Sequence, residues 1–161
     1  MKIFLTFLTT FSLLTQILMG TAPCIYPQKW KKLDHEKFYS SIKFFIEGKG
    51  KYEYPPAIKI STETVSVGIN EYMLSTKKLV EISGNSTFIT LGTIETFSGK
   101  ANLSIIDSTT KWGGTRSFQA VIIDNNTAYI ITVSALHKEI PDFYPIFFEA
   151  IKSFNISGIS I

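Results

Sequence analysis

Four segments rich in apolar and β-branched residues follow one another through the second half of the sequence. They span residues 88–97, 100–109, 115–124 and 127–136. Short turns made of Ser98-Gly99, residues 111–114 and Asn125-Asn126 separate them. Strands of about ten residues joined by such short turns pair with their sequence neighbours. The pattern therefore predicts an antiparallel β-meander over residues 88–136.

An amphipathic helix is predicted directly after the meander. Its apolar face has the spacing of one helix side and comprises Phe143, Ile146, Phe147, Ala150, Ile151 and Phe154. Asp142 stands where an N-cap is expected, and Pro145 would fall in the first turn, where a missing N–H costs little. Burial of this face stabilises by about 7–15 kcal/mol before entropy is counted. The helix is therefore expected to lie on the sheet.

The first half of the sequence predicts two more strands and another helix. Ile42, Phe44 and Ile46 alternate with more polar positions, and residues 57–65 alternate in the same way. Helical spacing then runs over residues 66–80, with Ser66 as the expected cap. Before these elements, Asp34 is expected to cap a short helical turn.

The first twenty residues have the composition of a secretory signal peptide. Lys2 precedes an uncharged apolar run, and small residues follow it. We expect cleavage after Gly20, with sites up to residue 23 open, and a single exported domain over residues 25–161. A permanent membrane anchor is the alternative, but the run is barely long enough to span a bilayer.

Cys24 is the only cysteine, so an intramolecular disulfide is excluded. It stands where a bacterial lipoprotein carries its lipidated cysteine, although Thr21-Ala22-Pro23 matches the required signal poorly. Cys24 is therefore a candidate lipidation site, and an inert thiol is the alternative.

Charge and composition exclude some classes of partner. The chain has 161 residues, 45% of them apolar, and a net charge of +3. That charge is too small to indicate nucleic-acid binding. Residues 29–51 hold seven Lys against three acidic residues, a net of +4. This segment either contacts an anionic membrane surface or forms a solvated face.

No pattern in the sequence indicates catalysis, a metal or a cofactor. No GxSxG motif occurs, and the Gly-Lys at residues 99–100 lacks the spacing and the hydroxyl residue of a phosphate loop. His35, His137 and Cys24 would need the fold to bring them together before they could bind a metal. The sequence thus predicts a protein without catalytic residues, metal or cofactor, and His137 is expected at a strand exit.

The segment GKGKYEYPP, residues 48–56, is the predicted contact surface. It combines flexible glycines with Lys49, Lys51, Tyr52 and Tyr54. Long loops that carry aromatic and charged side chains often bind partners. The alternative is that both tyrosines pack against the sheet edge.

Several of these segments together resemble PsbP-like domains, whose fold the Ran-binding Mog protein shares. The resemblance covers most of residues 25–156. It is carried by YPQKWKK at 26–32, LGTIETFSGKANL at 91–103, Gly114, the turn at 124–126, the strand Ala128–Ala135 and Ser153-Phe154. It implies an α+β fold, in which a central antiparallel β-sheet is flanked by helices as an α-β-α sandwich.

The resemblance also implies a type of function. It suggests an exported, periplasmic or envelope-bound, non-enzymatic accessory domain that binds or scaffolds an envelope protein or complex. No residue matches a metal-retention site of the photosynthetic members, and binding to nuclear Ran conflicts with the export signal. Two alternatives remain: a lipid carrier with a pocket between the sheet and the Phe-rich helix, and a hydrolase using His35 or His137.

Overall fold

The protein is built around one seven-stranded antiparallel sheet. The computed structural model describes residues 22–34 and 40–159. The strands are β1 (Lys31–Lys32), β2 (Ile42–Glu47), β3 (Ala57–Thr64), β4 (Ser86–Thr96), β5 (Gly99–Thr110), β6 (Gly113–Asp124) and β7 (Thr127–Leu136). Their order across the sheet is β1-β2-β3-β7-β6-β5-β4. The predicted meander is confirmed as β4 to β7, and β3 joins it by pairing with β7.

Strand register assigns side chains to two faces of the sheet. On β7, Tyr129, Ile131 and Val133 lie in one apolar core, while Ala128 and Ile130 lie in a second one on the other face. This alternation is the period of two that the sequence shows. Both faces of the central strands are therefore apolar, so each face needs a helix to cover it.

Helix α2 (Ile140–Lys152) covers the larger core. Phe147, Ala150 and Ile151 are fully buried, and Phe154 just beyond the helix is buried as well. The prediction that this helix lies on the sheet is confirmed. Side chains fill the contact between helix and sheet, at the place where the lipid-carrier hypothesis puts its ligand.

Helix α1 (Ile69–Ile82) covers part of the opposite face. Met73 packs there with Phe88, Val121 and Ile130 in the smaller core. The helix thus lies over one half of this face. Beyond the cross-strand pair Val121 and Ile130, strands β6 and β7 continue past the smaller core. The α-β-α arrangement follows from the two helices on opposite faces.

The start of each helix differs from its prediction. Helix α1 begins after Gly68, not Ser66, because Val65 still bonds through its N–H to the Asn126 carbonyl at 2.8 Å. Helix α2 has Glu139 at its N-cap, so Asp142 lies inside the first turn and not at the cap.

The earlier start of α2 also displaces Pro145. This proline was predicted in the first turn but lies further inside the helix, where its missing N–H removes one backbone hydrogen bond. Ile140, the first residue of the helix, is buried, and burial of its side chain counteracts that loss.

Some sequence predictions fall outside the described residues. These are the signal peptide at residues 1–20, His35, and the helical turn expected after Asp34. In residues 22–34 and 40–159, no helix is both long and apolar enough to cross a membrane.

Candidate binding surfaces

The predicted contact loop, residues 48–56, is attached to the start of helix α2. The backbone N–H of Lys51 donates to Glu139 Oε1 at 2.6 Å, and Lys51 Nζ lies 2.8 Å from Asp142 Oδ2. The hydrogen bond to Asp142 raises the pKa of Lys51. Gly50 permits this close approach, because a Cβ there would lie 2.8 Å from the Glu139 carboxylate. Lys51 therefore serves to hold the loop.

The four residues predicted for this surface do not share one side of the loop. Tyr52 is 50% exposed, and Lys138 Nζ lies 3.2 Å from its ring centroid. Lys49 is exposed. Tyr54 turns the other way, toward the sheet. Tyr54 lines a groove of the sheet together with Trp112.

Tyr54 meets Trp112, a residue that the sequence analysis assigned only to a turn. Their ring centroids are 5.7 Å apart, and Trp112 remains 44% exposed. Trp112 lies in the tight β5–β6 turn, where Thr110 Oγ1 donates to the Gly113 carbonyl and accepts from the Trp112 N–H. Gly113 has a φ of +111°, which L side chains rarely adopt. The sequence feature that could have indicated Trp112 as a binding residue was a tryptophan placed in a predicted turn.

The two rings form the rim of a groove on the half of the sheet that α1 leaves uncovered. We call it the open groove; its volume is about 390 Å³. One row of its floor runs across four strands through Glu47, Ala57, Ser134 and Ser117. The next row contains Phe45, Lys59, Thr132 and Gln119. The groove thus combines an aromatic rim with a largely polar floor.

The polar groups of the groove are unsatisfied within the part of the chain that the structure describes. The hydroxyls of Ser117, Thr132 and Ser134 have no hydrogen-bond partner there, and neither Glu47 nor Lys59 forms an ion pair. The groove therefore presents hydroxyl donors and acceptors that make no hydrogen bond to the described residues.

Beside the groove, the amide group of Gln119 is also incompletely bonded. Gln119 stands opposite Thr132 on the same face, and its Oε1 atom is buried without a hydrogen-bond partner among the described residues. A buried acceptor left unbonded costs about 1–3 kcal/mol. Native structures leave few such atoms.

A second exposed feature lies on the α2 face, and we call it the α2-side patch. It comprises Ile89, Ile105, Phe118, Tyr144 and Phe148. Ile89, Ile105 and Phe118 are cross-strand neighbours on β4, β5 and β6. Tyr144 stacks on Phe148 at 4.4 Å, and both rings contact Phe118. Ile89 and Tyr144 are 48% and 47% exposed.

His137 does not join a catalytic group. It is exposed at the end of β7, as predicted for a strand exit, and its N–H bonds the Gly114 carbonyl at 2.9 Å. The nearby Asp107 carboxylate is held by Arg116 through two hydrogen bonds of 2.7 Å. This contact lowers the pKa of Asp107 and occupies both of its oxygens. The His137 imidazole has no hydrogen bond to any residue in the described ranges.

Cys24 lies in the larger core with 2% of its surface exposed. Burial raises the pKa of its thiol from 9.0 to about 12. The adjacent backbone is anchored by the Asn155 N–H on the Pro23 carbonyl and by the Ile25 N–H on Ser153 Oγ. A lipid on Cys24 would have to displace this packing, and lipidation stays a prediction.

The described ranges contain no group of three or more His, Cys, Asp or Glu side chains placed to hold a metal. Asp107 lies near His137, but its two carboxylate oxygens bond Arg116 and not the imidazole. Glu139 is 1% exposed, but its bonded partner is the Lys51 backbone.

Comparison with known proteins identifies the fold. No protein-family model and no curated protein matches the sequence. The structure is similar to the cyanobacterial PsbP of Synechocystis sp. PCC 6803, with a TM-score of 0.57 and 10% identity over 82% of this chain and 84% of that one. The chain has a PsbP-like fold. The predicted α+β sandwich is thereby confirmed.

Two further solved structures share this PsbP-like fold. The Ran-binding protein Mog1p of Saccharomyces cerevisiae has a TM-score of 0.53 and 15% identity, over 83% of this chain and 89% of that one. LpqN of Mycobacterium tuberculosis, a protein involved in cell envelope biogenesis, has a TM-score of 0.51 and 13% identity, over 80% and 78%. Identities this low establish the fold alone.

Proposed function

We propose that this protein is an exported, non-enzymatic accessory domain that docks onto a protein of the cell envelope through the α2-side patch. The observation that carries the proposal is the patch itself. Single exposed apolar residues are ordinary, but here Ile89, Ile105, Tyr144 and Phe148 are partly or largely exposed around the buried Phe118. Aromatic residues of this kind concentrate at the centres of protein interfaces.

The patch has the form that an interface needs. The Tyr144–Phe148 stack is offset and held by Phe118 beneath it, so its rings lose little conformational freedom on binding. Ile89 extends the patch to β4, the last strand on that side of the sheet. A partner could thus contact the apolar side chains and the strand edge together.

Proteins of the same fold support this type of role. LpqN is involved in cell envelope biogenesis, and Mog1p binds another protein, Ran. The signal-like residues 1–20 favour the envelope over the nucleus as the place of action. The partner proposed here is therefore an envelope protein or complex.

The two alternative functions fit the described residues less well. A hydrolase would need His137 to meet an available carboxylate, but Arg116 occupies Asp107. A lipid carrier would need space beneath α2, where Phe147 and Ile151 are fully buried.

Site-specific photo-crosslinking in cells of the native host tests the proposal. A photoreactive residue at Ile89 or at Tyr144 is expected to capture the same envelope protein, because both positions belong to the α2-side patch. The matched controls are Leu79 and Ile82, which are 72% and 80% exposed on the opposite face. These positions are expected to capture nothing in common with the first pair.

Competition makes the crosslinking result specific. Excess purified protein is expected to abolish the crosslinks, whereas the Tyr144→Asp variant is expected not to. Equal capture at all four positions, or a crosslink only to a second copy of this chain, would contradict the proposed function.

A further inference from the structure

We propose that the open groove is a binding site for a neutral saccharide, taken as a unit of a glycan chain. The groove lies on the face opposite the α2-side patch, so this site is independent of the proposed docking function. The rim, the floor and the charge balance of the groove each favour such a ligand.

The rim provides a stacking surface. Tyr54 and Trp112 stand with ring centroids 5.7 Å apart at an interplanar angle of 58°, and Trp112 is 44% exposed. A pyranose ring presents an apolar C–H face that packs against such aromatic faces, while its edge carries hydroxyls. The local turn at Thr110–Gly113 and the loop attached at Glu139 fix both rings before a ligand arrives. Preorganised rings lower the entropic cost of binding.

The floor provides both hydrogen-bond donors and hydrogen-bond acceptors. Ser117, Thr132 and Ser134 offer three hydroxyls without a partner in the described part of the chain. A hydroxyl is both donor and acceptor, and this matches the dual character of sugar hydroxyls. A purely apolar ligand would leave all of these groups unsatisfied, at a cost comparable to lost hydrogen bonds.

The charges in the groove favour a neutral ligand. Lys59 and Glu47 line it together, one of each sign, and neither forms an ion pair within the described ranges. At the rim, Lys111 Nζ lies 4.3 Å from the Trp112 ring centroid, so a ligand that stacks on Trp112 displaces this flexible side chain or uses the other ring face. An anionic ligand would meet Glu47, and a cationic ligand would meet Lys59. A polyol can accept from the ammonium and donate to the carboxylate.

The size of the groove suits one or a few sugar units. Its volume of about 390 Å³ lies at the lower end of the roughly 300–1,000 Å³ found for small-molecule sites. It is open along the sheet, so a longer glycan can continue past it. The predicted binding residue Tyr54 belongs to this site, together with Trp112.

Titration of the purified chain with neutral trisaccharides tests the inference. The probes are maltotriose, cellotriose, mannotriose and the N-acetylglucosamine trimer at millimolar concentration. At least one is expected to shift the amide resonances of Trp112, Ser117 and Thr132. The same probe is expected to change the fluorescence of Trp112, while Trp30, packed on Phe143 and Phe147, stays constant.

Substitutions in the groove test whether the trisaccharide binds there. Trp112→Ala is expected to abolish measurable binding. Thr132→Val removes one hydroxyl at nearly constant shape and is expected to weaken binding about two- to tenfold, the worth of one hydrogen bond. The matched control Thr93→Val changes an exposed strand threonine outside the groove and is expected to have no effect.

Three results would overturn the inference. The first is the absence of resonance shifts with all four trisaccharides. The second is binding that survives Trp112→Ala. The third is occupation of the same groove by a proline-rich peptide with no competition from any trisaccharide. None of these results bears on crosslinking at the α2-side patch.

Discussion

At the scale of single residues, Cys24 shows how burial changes the meaning of a sequence position. Its place near the expected cleavage site made it a candidate for lipidation, with an inert thiol as the alternative. In the fold it is a core side chain with 2% exposure, and the surrounding apolar groups disfavour the thiolate. The thiol of the folded protein is therefore expected to be inert.

The pH dependence of unfolding tests this burial. The native thiol stays protonated up to a pKa of about 12, whereas the unfolded thiol ionises near 9.0, so the folded chain holds more protons between these values. The free energy of unfolding is expected to fall by about 1.4 kcal/mol for each pH unit above 9.0 from this group. The stabilisation is fully present below pH 9.0.

Urea denaturation of wild type and Cys24→Ala at several pH values isolates the contribution. The variant loses packing at every pH, but it lacks the alkaline decline that the thiol causes. The stability difference between the two proteins is thus expected to shrink as the pH rises from 9.0 toward 12. A constant difference, with rapid alkylation of the native thiol at neutral pH, would show that Cys24 is accessible.

At the scale of elements, the contact of loop 48–56 with helix α2 determines where Tyr54 stands. Glu139 is both the N-cap residue of α2 and the acceptor for the Lys51 N–H at 2.6 Å. One buried carboxylate thus connects a loop and a helix that are 88 residues apart in sequence. Burial of this carboxylate makes the connection sensitive to substitution.

Substitution of Glu139 tests that connection. Glu139→Ala removes the acceptor and is expected to lower stability by about 1–3 kcal/mol, because the Lys51 N–H loses its bond. Hydrogen exchange of the Lys51 amide is expected to become much faster. Glu139→Gln keeps an acceptor oxygen in place and is the matched control, with slow exchange retained. Equal protection of Lys51 in both variants would mean that Glu139 does not hold the loop.

At the scale of the whole molecule, the segment from Ala22 to Tyr26 packs against the end of the chain that follows α2. The segment from Ala22 to Tyr26 contacts the residues after α2, where Asn155 bonds the Pro23 carbonyl at 2.8 Å. Gly158 lies so close to Ala22 and Pro23 that a Cβ there would meet their backbone at 2.7 Å. The segment from Ala22 to Tyr26 is thus packed within the fold.

This packing leads to a prediction for the mature protein. We expect export to yield an unacylated chain that begins at Thr21, because an acylated Cys24 would have to leave the core. Intact mass spectrometry of protein purified from native cells measures this directly. A mass that corresponds to an acylated chain starting at Cys24 would establish lipidation instead, and an uncleaved chain would establish a membrane anchor.

The extent of sequence-based prediction differs between elements and sites. The strand from Thr127 to Leu136 was predicted with the bounds that the structure shows, because its alternation is a local property. The start of α2 was not predicted correctly. Glu139 is the N-cap residue without a side-chain cap bond, and its side chain instead accepts a hydrogen bond from a distant loop. Tyr54 was a predicted binding residue, whereas its neighbour Trp112 was assigned only to a turn.

By itself, the sequence determined the antiparallel meander, the apolar face of helix α2 and the PsbP-like character of the fold. The meander and the helix face follow from periods of two and of 3.6 residues, which depend on near neighbours only. The PsbP-like fold was expected from the resemblance of several segments to that family. Tertiary structure alone decided the open groove and the α2-side patch. The row from Glu47 to Ser117 joins β2 to β6 across β3 and β7, and the Phe118 contact with Tyr144 joins strand to helix. Such surfaces depend on pairing between distant segments, which no local pattern records.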